Sequence, residues 1–314
     1  MIYILSIQLN RKSVSLADFN SMFSTLSLNN YIFGAVAFLL MPLNWCLESV
    51  KWKQLVHIVQ KWFTISDAIK AVLIGVFFGF ITPNRIGEFG GRLFKIESGN
   101  KANALNLSFI GGLAQFVITF LIGLTASIWL IVQHFDLNLI FAYLFLTLIY
   151  IVSLYIYFNF KWIVKFLLSY KIFIKFSEKY VFNFDLSQWF LLQILLITLL
   201  RYSVYVFQYV FVLSFLGINL EFVLLAKVIS TMLLIQTIIP SFALIDVGIR
   251  GNVLLFLLAE YSDKQLVMLV GVLLVWILNL VIPAIIGYIN FLNLNLEVKN
   301  EKFNNHITTI NNRE

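Results

Sequence analysis

Charge is what this sequence has least of. Only 12% of its 314 residues are Asp, Glu, Lys or Arg, against 61% hydrophobic, whereas a soluble domain carries about 25% charged residues. That shortage excludes an ordinary soluble domain. With a mean hydropathy of +0.92, it points to a polytopic α-helical membrane protein, each crossing taking roughly 20 apolar residues. The apolar runs are long and continuous, which excludes the short alternating strands of an outer-membrane barrel. The single cysteine, Cys46, excludes a disulfide framework or a multi-cysteine metal site; it reads as a small buried residue. The three histidines, His57, His134 and His306, have no metal-ligand spacing. Walker A, dinucleotide-binding and Gly-x-Ser-x-Gly signatures are also absent. No cofactor is expected, and no enzymatic activity. Without an ATP site, transport would be downhill, ion-coupled or driven by a partner.

What is present is a message written twice. Thr82–Arg92 reads TPNRIGEFGGR, and Ile239–Gly251 reads IPSFALIDVGIRG. Each follows an apolar run, has proline at its second position, and sets an acid four residues before an arginine: Glu88 and Arg92, then Asp246 and Arg250. Charges at bilayer depth are expensive and mark functional sites by default. Proline breaks a helix, so Pro83, Gly87, Gly91, Pro240 and Gly248 are read as helix-break positions. Broken backbone at membrane depth is tolerated only inside protein or beside a wet cavity.

The apolar segments are Tyr31–Glu48, Ile69–Ile81, Ala104–Gln133, Leu137–Phe158, Trp189–Leu216, Leu224–Ile239, Asn252–Glu260 and Leu266–Phe291. The expectation is an all-α polytopic membrane protein. About five or six full transmembrane helices should accompany two Pro/Gly-broken or re-entrant segments. An odd number of crossings between those segments makes an inverted repeat whose tips meet near the midplane. Residues 1–30 form an N-terminal segment. Its stretch Met1–Asn10 is too short to span and has no signal-peptide character; it reads as an interfacial anchor or the remnant of a first helix. Residues 31–291 form the membrane domain, and 292–314 a polar tail.

Lysine sorts by side. Lys51, Lys53, Lys61, Lys70, Lys95, Lys101 and the Lys161–Lys179 group fall in loops of one face, together with the tail. The positive-inside rule assigns that face to the cytoplasm, and Lys161–Lys179 reads as an amphipathic segment on the anionic leaflet. The net charge of +7 has the same origin, so nucleic acid is not an expected partner. Arginine behaves differently: Arg85, Arg92, Arg201 and Arg250 lie in or beside apolar segments. Arginine stays charged when buried and its planar fork matches phosphate or carboxylate oxygens. The candidate substrate-binding set is therefore Arg85, Glu88, Arg92, Arg201, Asp246 and Arg250. The alternative for each i,i+4 acid–arginine couple is a structural ion pair. Tyr202, Tyr205 and Tyr209 read first as packing and second as a cavity wall. Gly111, Gly112 and Gly123 read as helix-packing positions.

The pattern Thr82-Pro83-x-Arg85-x-Gly87-Glu88-x-x-Gly91-Arg92, with Lys51-Trp52 upstream, resembles the flippase-like transmembrane domain of lysylphosphatidylglycerol synthases. The resemblance runs from about Tyr31 to Phe291. At the second motif the family commonly has Gly-x-Arg-Glu, and this chain has Gly248-Ile249-Arg250-Gly251. The resemblance implies movement of a membrane lipid, anionic or amino-acylated, between the leaflets of a bacterial inner membrane. It implies no aminoacyl transfer, since no synthase domain follows. Two other readings stay open: a scaffold presenting a lipid-linked sugar to a separate glycosyltransferase or synthase partner, and an enzyme acting on a phospholipid headgroup.

Overall fold

The computed structural model describes residues 27–134, 139–162 and 185–294. Every regular element among them is helical. In chain order they are α1 (Leu28–Val56), α2 (Ile65–Ile81), the short α3 (Gly87–Gly91), α4 (Lys101–His134), α5 (Leu139–Phe158), α6 (Gln188–Phe215), α7 (Phe222–Ile238), α8 (Ala243–Leu258) and α9 (Gln265–Leu294). Among the described residues five helices, α1, α4, α5, α6 and α9, are long and apolar enough to cross a bilayer. This is a multi-pass membrane protein. The Lys161–Lys179 segment beyond Trp162, the tail beyond Leu294, and residues 1–26 and 135–138 lie outside the described residues.

Hydrogen bonds between helix ends sort the loops into two faces. The Asn30 side chain, at the start of α1, donates to the Ser214 carbonyl at the end of α6 (2.8 Å). At the opposite face the Tyr157 hydroxyl donates to the Leu191 carbonyl (3.0 Å), tying the end of α5 to the start of α6. Lys161 and Asp185 pair there at 2.8 Å, and this bond holds the Asp185 carboxyl below its usual pKa.

α2 and α7 do not cross. Each has 17 residues, about 25 Å at 1.5 Å per residue, short of the roughly 30 Å apolar core. After α2 the chain turns at Thr82–Ile86 and returns along α2 as α3. The return is held close by glycine: a Cβ on Gly87 would lie 2.5 Å from the Phe78 carbonyl oxygen, and Gly91 packs on Gly75. Thr82 staples the turn, donating to the Phe78 carbonyl (2.9 Å) and accepting from the Gly87 amide (2.8 Å). The hairpin ends where it began. The Trp62 indole, just before α2, donates to Glu97, just after the return (3.0 Å). The second hairpin, α7 and α8, closes the same way, with the Lys264 ammonium donating to the Gly217 carbonyl (2.7 Å).

Three crossings, α4, α5 and α6, separate the hairpins, so they enter from opposite faces. Their tips meet. The Asn84 amide donates to the Ser241 carbonyl at 2.9 Å, and the Ser241 amide donates to the Asn84 side chain at 2.8 Å. Asn84 and Arg85 both hold positive φ, 50° and 58°, a left-handed step that asparagine tolerates better than arginine.

Several expectations need correction. α1 does not end at Glu48; it continues to Val56 and carries Lys51 and Lys53 inside the helix, with Lys51 only 2% exposed. Lys51 is therefore no loop lysine. Gly248 lies inside α8 with open space around it, as does Gly90 beside the first turn, so neither gives the close approach seen at Gly87 and Gly91. Asp246 and Arg250 likewise sit on a helix and not in the second break. Cys46 is exposed on the outer side of α1. Lys227 is part of α7 and lies over the Trp129 ring, 3.0 Å from its centroid, a cation–π contact. Gly123 does pack helices, facing the Ser230 carbonyl of α7.

Candidate functional site

The site begins with a stripe on α1. Asn44, Glu48 and Lys51 follow one another at helical spacing, so they share a face. That face turns inward, and all three are buried at 2% exposure. A lone buried carboxylate would be very costly; Glu48 is instead ringed by cations. Lys51 pairs with it at 2.8 Å, Arg92 at 2.8 Å and Arg201 at 2.9 Å. Arg92 also bonds Glu88, one turn earlier in the first return. Glu88 in turn holds Arg85 at 3.0 Å. The guanidinium of Arg92 lies over Trp52 (5.6 Å) and that of Arg201 over Trp45 (5.7 Å), further stabilising these buried charges.

A neutral chain continues from Arg201. Its Nε donates to Asn44 (3.1 Å) and its Nη1 to Gln115 (3.0 Å). Asn44 donates to Asn279 (2.9 Å), Asn279 to Gln208 (2.7 Å), and Gln208 to the Ala37 carbonyl (3.0 Å). Asn279 reaches in from a π-helical turn, Ile277–Val281. That turn directly precedes Pro283, whose ring displaces the carbonyl four residues back, that of Asn279.

The second motif makes its own cluster. Arg250 pairs with Asp246 at 2.6 Å. Its other nitrogen donates to the hydroxyls of Tyr205 (2.5 Å) and Tyr209 (2.9 Å) on α6.

Between the clusters lies a cavity of about 190 Å³, walled by Arg85, Arg201 and Arg250 with Asn44, Trp45, Gln115, Tyr205, Gln236, Thr237 and Asn279 among others. Asn44, Gln115, Arg201 and Asn279 each stand near the middle of a crossing helix, which puts the cavity at mid-depth. It holds several waters' worth of space at about 30 Å³ each, or one phosphate-sized group. Thr237 is exposed and the Arg85 side chain 37% so, and the cavity opens there. No group of His, Cys, Asp and Glu among the described residues could hold a metal.

All six sequence-nominated residues converge on this region, in two layers. Arg85, Arg201 and Arg250 form the wall. Arg92, Glu88 and Asp246 stand behind it and hold the wall arginines or their partners. Glu48, which organises the larger cluster, is absent from the sequence-nominated set, and it is the acid of Arg201 from 153 positions away on α1. It also took Tyr205 and Tyr209 first as packing. The spacing of Asn44, Glu48 and Lys51 was the available signal for the α1 stripe.

The counts are uneven. Five cations (Lys51, Arg85, Arg92, Arg201, Arg250) face three carboxylates (Glu48, Glu88, Asp246) across the two clusters. Two positive charges are left over in and around the cavity, with Arg85 the most exposed of the five cations.

A family model for the lysylphosphatidylglycerol synthase TM region matches residues 4–287. The chain belongs to this family. The match starts well upstream of Tyr31 and places the protein in a lipid-related membrane family. No curated protein and no solved structure matches the chain.

Proposed function

We propose that the protein moves a phosphate-bearing lipid between the leaflets of a bacterial inner membrane, with the lysine-rich face in the cytoplasm. The observation that carries this reading is the cavity at mid-depth with three arginines in its wall and two positive charges unbalanced around it. A headgroup phosphodiester supplies the missing anion, and the guanidinium forks match its oxygens. Two opposed hairpins meeting at a central polar site also fit the inverted-repeat design of transporters.

In this reading Arg85, Arg201 and Arg250 touch the headgroup. Glu88, Asp246 and Glu48 hold the arginines in place, and Arg92 ties Glu48 to Glu88. The protein performs no chemistry on the lipid; a headgroup passes through while the acyl chains stay in the bilayer. The tip contact between Asn84 and Ser241 must loosen for the cavity to face each side in turn.

The test is leaflet transfer of fluorescent phospholipid in vesicles holding the purified protein, beside Arg201→Ala and Arg250→Ala. Transfer should fall at least about tenfold in both, in keeping with loss of a charge-assisted phosphate contact. Lipid identification by mass spectrometry should find one anionic lipid enriched on the wild type and lost from both variants. Wild-type transfer rates in both would refute the mechanism, and the same lipids in all three samples would make the arginines structural.

A further inference from the structure

The wall of the cavity is selective by sign. It holds Arg85, Arg201 and Arg250 but no carboxylate. The nearby acids stand behind the wall, each already paired with a cation: Glu48 with Lys51, Arg92 and Arg201, Glu88 with Arg85 and Arg92, and Asp246 through one oxygen with Arg250, its other oxygen being buried out of the cavity. The rest of the polar wall is uncharged, and includes Gln115, Gln236 and Thr237.

Resting on the lipid-transfer reading above, we propose that the headgroup this cavity accepts joins its phosphate to uncharged hydroxyls, as in a glycerol or sugar phosphate, and that headgroups bearing an ammonium are rejected. A hydroxyl both donates and accepts, which suits a wall of amides and hydroxyls. An ammonium only donates, meets no carboxylate in the wall, and adds positive charge beside three arginines. Discrimination by a repulsive element of this kind needs no extra contact to the preferred ligand. A lysyl ester of phosphatidylglycerol carries two ammonium groups, so the chain would refuse the amino-acylated lipid for which its family is named and take the unmodified one.

The experiment uses the full chain in vesicles with trace fluorescent phosphatidylglycerol in one set and trace fluorescent lysylphosphatidylglycerol in another. Phosphatidylglycerol should cross at least about tenfold faster, and Gln236→Glu, which adds an acid to the wall, should speed the lysyl lipid several-fold. Equal rates, or a faster lysyl lipid, would overturn the selectivity while leaving the transfer reading standing. If neither lipid crosses faster than in protein-free vesicles, the transfer reading itself fails and the selectivity with it. Should Gln236→Glu fail to purify, the wild-type comparison decides alone.

Discussion

Glu48 concentrates the logic of this protein in one side chain. A carboxylate at 2% exposure among helices is tolerable only because Lys51, Arg92 and Arg201 all reach it. Removing one member of a buried charge cluster leaves the rest uncompensated, at about 3–5 kcal/mol. Glu48→Gln should therefore lower the thermal unfolding midpoint in detergent far more than any single lysine change on the loops, and abolish transfer as well. A midpoint within a degree or two of wild type would mean the cluster is not held by Glu48. Tyr209→Phe removes one of the hydroxyls that receive Arg250. Hydrogen bonds to charged groups contribute about 1.5–3 kcal/mol, so a stability loss in that range is expected by the same assay. Arg201→Lys keeps the charge but loses the fork that spans Glu48, Asn44 and Gln115. It should retain much of the stability and little of the transfer.

Among the elements, the first hairpin depends on backbones touching. At Gly87 a methyl group would meet the Phe78 carbonyl oxygen at 2.5 Å, while at Gly90 it would meet nothing within 4 Å. Two neighbouring substitutions should thus part company. Gly87→Ala should destabilise by about 1–3 kcal/mol, the usual cost of overpacking; Gly90→Ala should be neutral, or stabilise by up to about 1 kcal/mol through the unfolded chain. Paired thermal melts check this, and equal effects would argue against the packed return. Much of the element plan was legible in the sequence. Pro83 and Pro240 do stand at turns, because each is followed by a segment that folds back. Gly248 misled because a glycine within a helix looks, in sequence, like a glycine at its end. The helix α1 outran its expected end because the charges of Glu48, Lys51 and Lys53 resemble a loop until their partners are known.

At the scale of the whole molecule, the ends of each hairpin lie on one face, and the two hairpins use opposite faces. In a Cys46→Ser background, single cysteines at Lys61 and Ser98 should label from the same side of the membrane, and one at Ser262 from the other. Labelling of Lys61→Cys and Ser98→Cys from opposite sides would turn the first hairpin into a crossing and dissolve the inverted arrangement. The assignment of the lysine-rich face to the cytoplasm is read from the same experiment on intact cells.

Composition and order along the chain were enough to determine that this is an all-helical membrane protein broken at two matched motifs; the motif resemblance and the family match set it in the lysylphosphatidylglycerol synthase transmembrane family. Composition and order sufficed because hydrophobic length, proline and the rarity of buried arginine are local properties. Partnership is not local. Glu48 meets Arg92 and Arg201 from other elements, and Arg250 meets two tyrosines of α6. Which arginines face the cavity and which stand behind it depends on how helices far apart in sequence are rotated against one another. Packing sets that rotation, and only the tertiary structure could decide it.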